Sequence, residues 1–154
     1  PDFFNGPVPA FGAADARLLI IGLAPGLKGA NRTGRPFTGD HAGDLLYPTL
    51  QKFGFAEGKY DANINDSITL KKTIITNAVR CVPPQNKTIG AEEKNCRPFL
   101  IEQIEKLPTI SIILALGLVA HNAVLSTYNE KKTNYKFAHN KIHQLSNGLS
   151  LIAS

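Results

Sequence analysis

At 154 residues, 43% hydrophobic and 19% charged, the chain is long enough to bury the core of one domain and too apolar for a disordered segment. Seventeen Lys and Arg against twelve Asp and Glu leave a formal charge of +5, which suits a polyanion such as nucleic acid and equally suits a plain basic surface. Two cysteines define no disulfide framework, no signal-like segment opens the chain, and the longest apolar run, Ile110 to Ala120, is too short to span a bilayer, so neither a membrane protein nor a secreted scaffold is expected. The absence of Met means that Pro1 is not expected to be a translation start. The last residues, Gly148 to Ser154, read as a strand with nothing after it. A single domain over residues 1–154, incomplete at both termini, is the expectation.

Taken in chain order, Arg17 to Leu23 is an apolar run without polar alternation, the pattern of a strand buried on both faces. A helix is expected over Gly43 to Phe53, with Leu45, Leu46, Leu50 and Phe53 on its apolar stripe. Thr73 to Val79 repeats the strand pattern. Ala91 to Lys106 follows as a helix, with Phe99, Leu100, Ile104 and Leu107 at helical spacing. Ile110 to Leu116 is a third strand, Leu118 to Thr127 a third helix directly after Gly117, and Leu149 to Ala153 a fourth strand. Strands alternating with helices predict an α/β protein with a parallel sheet covered on both faces. Ligands of such sheets bind beyond the carboxyl ends of the strands, so residues that follow the strands are the candidates for chemistry.

After the first strand come Gly22-Leu23-Ala24-Pro25-Gly26 and a long polar loop from Lys28 to Asp40. Its glycines let backbone amides approach a ligand, and Arg32 and Arg35 can meet phosphates. The loop matches neither the dinucleotide nor the Walker fingerprint, and a solvated strand-to-helix turn explains it as well. Asp40 stands where a helix begins: it is either an N-cap or a carboxylate at the mouth of a site. Phe37 can fold into the core or offer its ring to a flat ligand. Asn77, at the end of the second strand, can give a donor and an acceptor to a base edge or satisfy local backbone. Cys81 and Cys96 read as two unrelated thiols or as half of a metal site. His41 and His121 lie at helix starts, and His139 to His143 occupies a polar stretch before the last strand.

Taken together, three segments closely resemble the iron–sulfur uracil-DNA glycosylases, in particular the family-5 or type-b branch: Gly22 to Gly26, Gly29-Ala30-Asn31-Arg32-Thr33-Gly34-Arg35-Pro36-Phe37-Thr38-Gly39-Asp40, and Thr76-Asn77-Ala78-Val79-Arg80-Cys81-Val82-Pro83-Pro84-Gln85-Asn86-Lys87. Ala115-Leu116-Gly117 before a helix and Phe137-Ala138-His139 before the last strand are similar too. The resemblance implies a three-layer α/β/α sandwich around a short parallel sheet. It further implies a DNA repair glycosylase that hydrolyses the N-glycosidic bond of uracil, and of other deaminated bases such as hypoxanthine, to initiate base-excision repair. By matching position, Asn77 reads the base edge, Phe37 stacks on the flipped base, and Asp40 orients water or stabilises charge on the sugar. Leu23, Ala24 and His139 line the substrate site, and Arg32 and Arg35 contact DNA phosphates.

Other branches carry a carboxylate or polar amide where this sequence has Ala24, which favours type b and its looser base preference. Cys81 and Cys96 match the last two of four ligands of a 4Fe-4S cluster, with the first two expected upstream of Pro1 and a histidine-bearing loop expected after Ser154. The partner implied is double-stranded DNA containing deaminated bases, met by a monomer in a prokaryotic cytoplasm. The alternatives weighed are a type-a (family-4) enzyme, a non-catalytic iron–sulfur DNA-binding module of the same fold, and a nucleotide-binding regulatory domain, for which no phosphate loop is found.

Overall fold

Each of the four apolar runs forms a strand, and each is shorter than its hydrophobic pattern. In the computed structural model, which describes residues 3–154 and leaves Pro1 and Asp2 outside the described residues, the elements in order are β1 (Phe11–Gly12), β2 (Leu18–Gly22), α1 (Ala30–Thr33), α2 (His41–Lys52), β3 (Ala56–Glu57), β4 (Thr69–Leu70), β5 (Thr73–Asn77), α3 (Gly90–Glu105), β6 (Ile112–Ala115), α4 (Leu118–Thr127), β7 (Lys141–Gln144) and β8 (Ser150–Ala153). The main sheet has the order β1-β5-β2-β6-β8-β7, and β3 and β4 form a separate ribbon. The four central strands β5, β2, β6 and β8 are mutually parallel. The edges β1 and β7 pair antiparallel, so the sheet is mixed rather than purely parallel.

Alternation along β2 accounts for the two cores. Leu19 and Ile21 join the larger cluster with Leu100, Ile104, Val124 and Leu125 of α3 and α4. Ile20 faces the other way and packs with Ile75, Tyr47 and Leu50 of α2, Leu70 of β4 and Ile68 just before it. Because both faces of the central strands are covered, β2 shows no polar residue, and the expected three layers are present. No helix among the described residues is long and apolar enough to cross a membrane.

The helices differ from the predicted stripes by a rotation. On α2, Gly43, Tyr47 and Leu50 face the sheet, while Leu45 and Phe53 are 71% and 66% exposed. Tyr47 wins the inner position because its ring fills the second core and its hydroxyl donates to the Pro36 carbonyl at 2.6 Å. Burial pushes the Tyr47 phenol up to about 12, so it stays a donor. On α3, Leu100 and Ile104 are buried, but Phe99 is exposed beneath the Arg80 guanidinium. The polar stretch from His139 to His143 contributes edge strand β7 from Lys141 onward.

Arg35 is the principal correction. Expected to meet DNA phosphate, it is 4% exposed and donates from both terminal nitrogens to the Asp66 carboxylate, at 2.8 and 2.9 Å. Its Nε donates to Thr38 Oγ1 at 2.7 Å, and its cation lies over the rings of Phe11, Tyr47 and Tyr60. A guanidinium so enclosed has no free donor edge for a phosphate. Burial by itself raises the Asp66 pKa, but the Arg35 hydrogen bonds and amide donors from Asp61 and Ile68 outweigh it, and the net shift is downward. A depressed folded-state pKa stabilises the fold above the ordinary aspartate range, and this contribution is lost as pH falls through the folded value. Asp66→Ala, which strands the arginine, is expected to cost about 3–5 kcal/mol. In denaturant titrations of wild type and Asp66→Asn between pH 7 and pH 3, the stability gap between them should narrow as pH drops. A gap that stays constant to pH 3 would show the pair to be unimportant.

Candidate active site

The carboxyl ends of β2 and β5 lie side by side, with Gly22 in register with Asn77. The pairing runs on past the strands, Ala78 and Val79 donating to the carbonyls of Gly22 and Leu23 at 2.8 and 3.0 Å. This holds the first turn of the loop that follows β2 against the end of β5. A Cβ at Gly22 would stand 2.4 Å from Phe37 Cζ and 2.5 Å from Asn77 Oδ1, so only glycine lets the ring and the amide meet there. Asn77 is 5% exposed, and its Oδ1 is buried with no hydrogen-bond partner among the described residues. An orphaned acceptor of this kind costs about 1–3 kcal/mol, which argues against an asparagine that merely ties down local backbone.

Phe37 brings its ring to this point from an unusual backbone. Its φ is +53°, in the left-handed region that a bulky residue enters only under constraint. The constraint is a run of three consecutive carbonyls, each held by a hydroxyl. Tyr47 donates to Pro36, Tyr60 to Phe37 at 3.4 Å, and Thr33 to Thr38 at 2.9 Å. Beside the Phe37 ring is an open apolar hollow of about 350 Å³ that includes Leu45, Leu46, Leu116 and Ser154.

Asp40 caps α2, as its position allows, and it also does something more. Its backbone is extended (φ −125°, ψ 171°), and Oδ1 accepts from the Gly43 amide at 2.9 Å. The second oxygen, Oδ2, lies 2.5 Å from where a Cβ of Gly29 would be and 3.7 Å from that of Gly26. Glycine at 29 therefore admits the carboxylate against the loop after β2. Within that loop, the amides of Leu23, Ala24, Gly26, Leu27 and Lys28 donate to nothing among the described residues. Asn77 and Phe37 thus border one end of the segment Gly22 to Gly29, at Gly22, and Asp40 borders the other, at Gly29. Leu23 and Ala24 lie within it, Leu23 partly exposed and Ala24 half-buried.

The other predicted residues are elsewhere. Arg32 is exposed at the rim of the same loop, its Nε donating to the Lys28 carbonyl at 2.8 Å. Arg35 is inside the protein, as described. His139 is exposed at the carboxyl end of the sheet, but it precedes β7, three strands from β2, about 14 Å away at ordinary strand spacing. Its ring packs edge-on against Phe137, which also meets the fully buried His121. Cys81 is exposed, Cys96 is half-buried, and neither is in a disulfide. Arg80, next to Cys81, lies over Phe99 and reaches Gln103 at 3.5 Å, one and two turns along α3 from Cys96. Cys81 thus follows a residue that packs on the same helix as Cys96, and no group of three or more metal-binding side chains occurs among the described residues. Sequence reading missed Tyr60, which no motif marks.

Residues 9–152 match the family pattern described as the uracil DNA glycosylase superfamily. The chain is 40% identical to the type-5 uracil-DNA glycosylase of Thermus thermophilus, over 99% of this chain and 69% of that protein. It is 35% identical to the type-5 uracil-DNA glycosylase of Pyrobaculum aerophilum, over 87% of this chain and 59% of the relative. A type-4 uracil-DNA glycosylase of the same organism is 38% identical over a shorter stretch, 77% of this chain and 53% of the relative. The chain thus spans between about half and about seven-tenths of the length of these relatives. With the glycine-lined loop, the strand-end asparagine and the helix-capping aspartate all in one fold, the chain belongs to the uracil-DNA glycosylase superfamily, with the type-5 enzymes.

Proposed function

We propose that the protein is a DNA repair glycosylase that cleaves the N-glycosidic bond of uracil, and of other deaminated bases such as hypoxanthine, in double-stranded DNA. The observation that carries this reading is the buried, unpartnered Oδ1 of Asn77 beside the Phe37 ring. A flipped base that slides over the ring presents an N–H to Oδ1 and a carbonyl to the Asn77 amide nitrogen. Flipping costs a few kcal/mol, least for a damaged or mispaired base.

In the reaction the C1′–N bond lengthens, positive charge grows on the sugar, and the electron pair leaves with the base. Water then adds to C1′. The free amides of the loop after Gly22, together with the Asn77 amide, stabilise charge on the departing base. Asp40 Oδ2 stabilises the sugar cation or accepts the proton of the water. These contacts strengthen as charge develops, which is the condition for lowering the barrier. Arg32 supplies a phosphate contact at the rim. The enzyme is taken to act as a monomer, in a cytoplasm where thiols stay reduced.

The thiols of Cys81 and Cys96 are suited to soft iron, and we assign them as two of four ligands of a 4Fe-4S cluster, the other two lying outside residues 1–154. The glycosidic step needs no redox chemistry, so the role assigned to the cluster is structural. Purified anaerobically, Cys81→Ser should lose most of the iron and acid-labile sulfide of the wild type. Equal contents would remove the cluster from this account.

Two further substitutions separate chemistry from scaffolding. Asp40→Asn keeps an acceptor for the Gly43 amide, so its melting temperature should be close to wild type, but its single-turnover rate should fall by roughly 10²–10⁴ on uracil and hypoxanthine alike. A full rate in Asp40→Asn would make Asp40 a helix cap only. For Asn77→Ala a loss of about 1–3 kcal/mol is expected, with an altered ratio of uracil to hypoxanthine rates. An unchanged ratio would take base reading away from Asn77.

A further inference from the structure

The Phe37 ring is useful to a flipped base only if its backbone is held at φ +53°, and that conformation is intrinsically unfavourable. Of the three hydroxyls on the turn, Tyr47 is part of the core and Thr33 belongs to the same loop. Tyr60 comes from the excursion between β3 and β4 and packs at the edge of the core that contains Tyr47. Its hydroxyl accepts from the Gly39 amide at 3.3 Å and donates to the Phe37 carbonyl at 3.4 Å. It thereby bridges the residue that carries the ring and the residue just before Asp40. Gly43 completes the enclosure: a Cβ there would be 1.7 Å from the Phe37 carbonyl oxygen and 2.9 Å from the Tyr60 hydroxyl. The Tyr60 ring is fixed by stacking on Tyr47 with centroids 4.6 Å apart and an interplanar angle of 19°.

We infer that Tyr60 is a positioning residue of this active site, acting through Phe37 and Gly39 rather than on the base. Its single hydroxyl sets the geometry of the aromatic platform and of the carboxylate together. The inference rests on the glycosylase reading for its catalytic consequence, but not for its structural one. Each bridging bond is long and individually weak. What makes them effective is that both end on one oxygen, so neither Phe37 nor Gly39 can turn without breaking contact with it.

Tyr60→Phe keeps the stacking on Tyr47 and removes only the bridge, so folding is expected to survive it. Single-turnover cleavage of a uracil-containing duplex should slow on the order of tenfold, while duplex affinity stays within about twofold, the hydroxyl being remote from phosphate. In a Phe37→Gly background, where the platform is gone and the positive φ carries no penalty, Tyr60→Phe should slow the reaction by less than about twofold further. Equal slowing in both backgrounds, or no slowing in the first, overturns the inference. Amide exchange supplies a readout without substrate: in Tyr60→Phe the Gly39 amide should exchange at least about tenfold faster while Ile20 and Ile75 in the sheet keep their protection. Unchanged Gly39 exchange also overturns it. If the wild-type protein cleaves no uracil, the glycosylase reading fails, and the exchange experiment still decides whether Tyr60 holds the turn.

Discussion

The buried ion pair between Arg35 and Asp66 is the constraint on which the site depends. Arg35 sits inside the loop that carries Phe37 and Asp40, and Asp66 sits in the excursion that carries Tyr60. Joining them ties two irregular segments, 31 residues apart, into one wall. Asp66 does this with both oxygens on the guanidinium, and it also accepts from the backbone of Asp61 and Ile68. Arginine suits the place because its planar fork meets the carboxylate bidentately and its faces stack on aromatic rings. Isolated, either charge would be costly to bury. Paired and caged by Phe11, Tyr47 and Tyr60, the two give the loop a definite shape where hydrophobic contact alone leaves a polar segment loose.

Sheet topology decides where that wall faces. From β2 the chain passes through α2 to β5 on one side, then through α3 to β6 on the other side of β2. The connections therefore diverge at the carboxyl end of β2, the place in open α/β sheets where a crevice forms. Gly22 is the last residue of β2 and Asn77 the last of β5, and they are paired neighbours. A short side chain at 77 therefore needs no loop to reach the site. The regular sheet holds Asn77, the asparagine proposed to read the base, whereas Phe37 and Asp40 come from an irregular loop shaped by the ion pair and the hydroxyl clamps.

Much of this was legible in the residues, for reasons that can be stated. The central strands announced themselves because burial on both faces removes polar alternation, as in Leu18 to Gly22. Asp40 was readable as a cap because capping is local, needing only the amide three residues on. Arg35 was misread because its partner is distant in sequence, and an arginine in a glycine-rich polar loop looks the same whether it meets phosphate or a buried carboxylate. Leu45 and Phe53 were placed inward on hydrophobicity alone, but Tyr47 took the buried face through a hydroxyl contact that no periodicity encodes. The edges β1 and β7 escaped notice because they are short, and β7 is largely exposed, with pairing on β8 as its main support. Tyr60 had no signal, since a tyrosine between two short strands is indistinguishable from any other until the turn it grips is seen.

The site also shows where the fold gives up stability. Asn77 Oδ1 is buried without a partner, Phe37 holds a left-handed backbone, and Asp40 faces the loop with one carboxylate oxygen left over from capping. The first two would be relieved by an ordinary substitution, an apolar residue at 77 or glycine at 37, whereas asparagine at 40 would keep the cap and remove only the charge. Other left-handed residues and a second buried unpartnered atom, Nδ1 of His121, occur elsewhere among the described residues, but only these three features border one segment, Gly22 to Gly29. Together at the carboxyl end of β2, they leave an acceptor, an aromatic face and a negative charge in place before any ligand arrives. A flat ligand with a hydrogen-bond donor at its edge and an adjoining group that gains positive charge would engage all three at once. A nucleobase on its deoxyribose, with the glycosidic bond breaking, meets those three demands together.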